Sequence, residues 1–140
     1  MTSDATGNAV TVEDNGAVSD SVYGGSSSSA ATDNTVMMSG GTVSDDVFGG
    51  YCWSGCSDAF TGNTLNLHQP VTVAGLNNFE KYNFYLPATF TAGSALLTVT
   101  GTADLTDGAS RSSTVNVGIN GASSPPCKRA TKSSSSTPQR

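Results

Sequence analysis

Apolar residues in this chain come in short bursts of the form apolar–x–apolar, separated by Gly, Ser, Thr, Asn and Asp. The bursts are Val10/Val12, Val36/Met38, Leu65/Leu67, Leu97/Val99 and Val115/Val117, at spacings of 26, 29, 32 and 18 residues. Alternation with a period of two puts both apolar side chains on one face of a strand and the intervening residue on the other. Second strands are expected at Val18/Val22, Val43/Val47 and Val71/Val73. Almost no segment carries helical periodicity. The bursts also sit inside a repeated phrase. Asn8-Ala9-Val10-Thr11-Val12 leads to Val22-Tyr23-Gly24-Gly25, and Asn34-Thr35-Val36-Met37-Met38 leads to Val47-Phe48-Gly49-Gly50, 25 to 26 residues later. A looser third copy starts at Gly62-Asn63-Thr64-Leu65. A fixed period carrying short strands predicts an all-β chain folded as a parallel β-helix (a β-solenoid) of roughly 4–5 coils.

Stacked coils bring like residues over like residues. Asn8, Asn34 and Asn63 are expected to form an amide ladder, and Tyr23 and Phe48 an aromatic stack. The competing reading is a small antiparallel sandwich with similar hairpins. Residues 76–93, with Phe79, Tyr82, Phe84 and Tyr85, break the phrase and are expected to pack across a coil or to cap it. From Ser123 onward the composition turns to Ser, Pro and basic residues. The expected organisation is therefore a repeat domain over residues 1–123 and a disordered tail over 124–140.

Charge narrows the partners. The chain has 11 acidic and 6 basic residues, net −5. Every acid lies between Asp4 and Asp107, while Lys128, Arg129, Lys132 and Arg140 place four of the bases at the C-terminus. An acidic, hydroxyl- and amide-rich body repels nucleic acid and anionic lipid, so no nucleic-acid partner is expected. No apolar run reaches 18 residues, so no helical membrane span is expected. The start, Met1-Thr2-Ser3-Asp4, has neither basic nor apolar character, and no signal peptide is read there. The expectation is either a cytoplasmic protein or a piece of a longer exported chain. The phrase already running at residue 8 favours the piece.

Candidate chemistry is sparse. His68 is the single histidine, and no Gly-x-Ser-x-Gly elbow is present. The adjacent acids Asp45-Asp46 and Glu13-Asp14 point to opposite faces of a strand, which is unsuited to a carboxylate dyad. Gly40-Gly41-Thr42-Val43-Ser44-Asp45 has Val where a calcium-binding nonapeptide needs its third Gly. The expectation is no catalytic residue, no metal and no cofactor. Cys52 and Cys56 are spaced for a short-range disulfide, leaving Cys127 as a third, unpaired thiol.

The runs Val22-Tyr23-Gly24-Gly25, Asn34 to Val43, Asp46-Val47-Phe48-Gly49-Gly50 and Asp58 to Leu67 resemble the passenger repeats of bacterial autotransporters, and Leu96 to Gly121 is similar to later strands of such passengers. The resemblance implies a right-handed parallel β-helix carried across the outer membrane by a C-terminal β-barrel, then displayed or released. It implies adhesion or aggregation, with ligands on host or neighbouring cells. On that basis the chain is expected to be a fragment of an exported surface protein, without signal peptide or barrel, serving as an adhesin-like or stalk segment and not as an enzyme. No family site motif is matched, so no binding residues are carried over. Two rival expectations are an inactive truncated product or spacer, and a polysaccharide-active β-helix enzyme.

Overall fold

The computed structural model describes residues 3–107 and 110–119, and among them there is no helix. Ten strands follow one another: β1 (Ala9–Val12), β2 (Ala17–Val18), β3 (Val22–Ser27), β4 (Thr35–Met38), β5 (Thr42–Cys52), β6 (Thr64–Leu67), β7 (Val71–Asn77), β8 (Lys81–Leu86), β9 (Leu97–Val99) and β10 (Thr114–Ile119). They form two sheets, one ordered β1-β4-β6-β8-β10 and the other β2-β5-β7-β9, with β3 also paired to β5. All pairings between these strands are parallel. That excludes the antiparallel sandwich considered above. A parallel return needs a crossover that leaves the sheet. Here the crossover is not a helix: from β3 onward the chain alternates between the two sheets, so each strand is the other sheet's connection.

Register follows the apolar bursts in the first three passes. Val10, Val36 and Leu65 lie side by side, as do Val12, Met38 and Leu67. The fourth member is not Leu97/Val99. It is Tyr82/Phe84 of β8, followed by Val115/Val117 of β10. Leu97 and Val99 belong to β9 in the other sheet, beside Val71 and Val73. The first sheet therefore steps by 26, 29, 17 and 33 residues, as the side-chain pairs linking its strands show. This corrects the expectation for residues 76–93. The aromatic segment continues the sheet in register instead of crossing or capping it, because Tyr82 and Phe84 keep the inward phase of Leu65 and Leu67. The expected tail, residues 124–140 with Cys127, lies outside the described residues.

The inward rows of both sheets meet in one core: Val36, Met38, Leu65, Leu67 and Tyr82 from the first, and Val43, Val47, Val73 and Leu76 from the second, closed by Phe79. Burial of each such side chain contributes on the order of 1.5–3 kcal/mol relative to leaving it in water. One atom of this core is anomalous. The Tyr82 hydroxyl is buried without a hydrogen-bond partner. The neighbouring Ser113 hydroxyl, whose hydrogen bonding would favour the ionised phenol, gives its own proton to the Phe79 carbonyl at 2.6 Å. Deleting an unsatisfied buried hydroxyl removes a desolvation cost while keeping the ring. Tyr82→Phe is expected to leave stability unchanged or raise it by up to about 1 kcal/mol, read as a shift of the urea midpoint. A measurable loss of stability would show that the hydroxyl has a partner in solution.

Candidate functional site

Three outward or corner features have the geometry of a site. The first is amide columns. Asn8, Asn34 and Asn63 each follow a residue in the left-handed region: Gly7 (φ 72°), Asp33 (φ 57°) and Gly62 (φ 71°). That turn aims the next side chain inward at the start of a strand. Asn8 donates through its backbone N–H (3.0 Å) and its Nδ2 (2.9 Å) to Asn34 Oδ1. Asn34 does the same to Asn63 Oδ1 at 2.9 and 3.2 Å. Asn34 and Asn63 are fully buried, so this column is structural and offers nothing to a ligand. Glu80 occupies the next place, accepting from the Gly62 N–H at 3.1 Å and ending the column.

A second amide column lies outside, and the repeat phrases did not point to it. Asn83 Nδ2 donates to Asn66 Oδ1, and Asn116 Nδ2 donates to Asn83 Oδ1, both at 2.9 Å. A signal was present in the sequence: all three sit in an apolar–Asn–apolar triplet, Leu65-Asn66-Leu67, Tyr82-Asn83-Phe84 and Val115-Asn116-Val117. His68 stacks on Tyr85 beside this face, with ring centroids 4.6 Å apart. It is close to no set of further ligands: among the described residues no three His, Cys, Asp or Glu side chains gather where they could hold a metal ion.

The aromatic feature is on the other sheet. Tyr23 and Phe48 are register partners and stack at 5.2 Å with 8° between their planes. Tyr51, which follows Gly49-Gly50, meets both edge-on at 5.0 and 5.2 Å. Tyr23 is 42% exposed. The chain then enters the loop that the Cys52–Cys56 disulfide closes, where Trp53 stands 63% exposed. Stapling so short a loop contributes about 2 kcal/mol on chain-entropy grounds. The three contacting rings, with Trp53 exposed two residues beyond Tyr51, give an apolar, partly wet surface suited to contact with a partner.

Behind the disulfide is a polar cavity of about 250 Å³ whose lining includes Asp58, Phe60, Asn78, Asp107 and Arg111. Asp58 Oδ1 accepts the Phe60 N–H at 2.8 Å and the Thr61 N–H at 3.0 Å, and its other oxygen accepts the Thr61 hydroxyl. Arg111 reaches Asp58 at 3.3 Å and Asp107 at 2.7 Å, with its guanidinium 4.9 Å above the Phe60 ring. Burial alone would raise the Asp58 pKa. The bonds from the Thr61 hydroxyl, the Phe60 and Thr61 amides and Arg111 outweigh it and hold the group at about 2. A carboxylate held ionised this firmly cannot act as a general acid near neutral pH. These contacts form a brace that ties Asp107 and Arg111 to the corner at Asp58 and Thr61.

That brace has a pH signature. The folded Asp58 pKa lies below its ordinary 3.8. Its contribution is therefore fully present above about pH 5 and is lost as pH falls through 4 toward 2. The shift sets an upper bound between about 2 and 3 kcal/mol, which solvent screening of this partly exposed pair lowers to about 1 kcal/mol. Chemical denaturation at pH 6 and pH 2.5 should show Asp58→Asn losing less on acidification than the parent. Equal acid losses would remove Asp58 as a cause.

The remaining sequence candidates stay apart. Asp46 accepts from Asn77 Nδ2 at 3.3 Å and Asp45 is exposed. No known protein family, curated protein or solved structure matches the chain.

Proposed function

We propose that this chain is a non-catalytic segment of an exported surface protein, its two parallel sheets forming the faces of a β-solenoid of the autotransporter-passenger kind, used as an adhesive or stalk surface. The observation that carries the reading is the pair of outward rows on register-matched parallel strands: the Asn66–Asn83–Asn116 column on one sheet and the Tyr23–Phe48–Tyr51 cluster on the other. Parallel pairing repeated through five passes favours a stiff body, and stiffness lowers the ordering cost of presenting such rows to a partner. The partners that suit it are molecules on host or neighbouring cells.

The test is retention of cells on beads that carry the full chain, compared with beads that carry a Tyr23→Ser/Phe48→Ser chain of matched folding. Retention above the double variant supports an adhesive face. Retention equal to that of beads bearing a scrambled sequence ends the adhesive reading and leaves a spacer.

A further inference from the structure

The two ends of the molecule differ. Among the described residues β10 is the last strand of its sheet and pairs only with β8. In the same inward rows, Leu65, Leu67 and Tyr82 are buried, whereas Val115, Val117 and Ile119 are 51%, 65% and 47% exposed. Beside them opens an apolar cavity of about 410 Å³, lined by Phe84, Leu86, Phe90, Leu96 and Leu97 together with Val115 and Val117. A free parallel edge with an uncovered apolar row is a template for a further strand. The residues that follow, 120–140, contain no Val, Leu, Ile, Met, Phe, Tyr or Trp, so they bring no large apolar side chain to cover it.

The opposite end of the same chain fits. β1 is the other edge of this sheet and carries the same apolar–x–apolar phase in Val10 and Val12. Its backbone phase also matches. The Asn8 and Val12 carbonyls accept from Thr35 and Ser39, so residues 8, 10 and 12 face β4, while Ala9 and Thr11 face the free side. On β10 the Thr114 N–H bonds the Glu80 carbonyl, so 114, 116 and 118 face β8, while 115, 117 and 119 face the free side. Setting Val10 over Val115 and Val12 over Val117 satisfies both phases at once, as β1 and β4 do within one molecule.

We propose that the β10 edge and its apolar cavity are a docking site for the β1 edge of a second copy of this chain. The contact is heterologous, so it repeats and builds open rows instead of closed dimers. It does not depend on the adhesive reading.

The experiment is sedimentation velocity of the 140-residue chain over a concentration series, with two edge blocks. Val117→Lys puts a charge into the exposed row at the C-terminal edge. Thr11→Pro removes an N–H that faces the free side of β1 and none that bonds β4. Val115→Lys and Ala9→Pro are the second choice at each end if a first variant melts early. The parent should form species that grow past the dimer. Each blocked variant alone should be monomeric, with association at least about tenfold weaker. An equimolar mixture of the two should stop at a 1:1 dimer, since one open edge of each kind remains. A monomeric parent overturns the proposal. So does dimerisation of Thr11→Pro alone, which would mean β10 pairs with β10, or a mixture that stays monomeric.

Discussion

Replacing Gly50 with alanine should destabilise the fold by about 3–5 kcal/mol, at or beyond the upper end of overpacking substitutions. The reason is space, not backbone conformation. A Cβ on Gly50 would run into the Ala31 carbonyl and stand 2.5 Å from the Ala59 carbonyl and 2.7 Å from Asn63 Nδ2. Two of these obstacles are backbone and the third is a buried side chain, so none can swing aside. One pass earlier, a Cβ on Gly25 would meet Asn34 Nδ2 at 2.5 Å. The Gly-Gly pairs and the inner Asn column are thus two sides of one packing arrangement. Gly25 and Gly50 are register partners, and each lets an Asn amide lie flat against the strand. Gly118→Ala is the control, because nothing stands within 4 Å of its added Cβ and it lies in a strand. It should shift stability by no more than about 0.5 kcal/mol, as surface substitutions do. Urea midpoints for the two variants decide the matter, and a Gly50 shift as small as the Gly118 one would refute the packing account.

What the sequence made legible follows from where the phrase is kept. β1, β4 and β6 are each entered from an Asn, in Asn-Ala-Val, Asn-Thr-Val and Asn-Thr-Leu, and those strands lie in register. The stacked Tyr23 and Phe48 stand at the same place in Val-Tyr-Gly-Gly and Val-Phe-Gly-Gly. After residue 67 the phrase is gone, and spacing became a poor guide. The first sheet takes its next strand 17 residues on, because Glu80 replaces the Asn and the short corner at Asn78 (φ 62°) returns the chain early. Leu97/Val99 has the same letters as an inner-row burst but falls in the other sheet, since apolar–x–apolar reports only that one face is buried and not which sheet owns it. The Asp58–Arg111 brace joins residues 53 apart with no local motif, so only three-dimensional proximity reveals it.

The inner Asn column should show an energetic gradient along its length. Asn63 is the most heavily used member. Its Oδ1 accepts the Asn34 N–H and amide, and its Nδ2 donates to the Ala31 carbonyl at 2.9 Å and the Ala59 carbonyl at 2.7 Å. Truncation leaves one buried N–H and two carbonyls without this partner, and each such group costs about 1–3 kcal/mol where nothing replaces it. Asn63→Ala is therefore expected to lose about 3–5 kcal/mol, with the cavity adding to the total. Asn34→Ala should lose nearly as much, for Asn34 is also fully buried and accepts both Asn8 donors. Asn8, exposed at the end of the column, accepts nothing from an earlier strand, so Asn8→Ala should lose only about 0.5–1.5 kcal/mol. Asn63→Asp is the sharper probe. It keeps the acceptor that Asn34 needs but turns a donor into a carboxylate oxygen facing two carbonyls. At neutral pH it should be at least as damaging as alanine, and it should recover part of the loss as acid returns a proton to that oxygen. Urea melts of the four variants at pH 7, with the aspartate repeated at pH 4, give the comparison. Equal losses at positions 8, 34 and 63 would mean that the column is not a chain of buried, mutually dependent amides. An Asn63→Asp chain as stable as the parent would mean that water reaches the site.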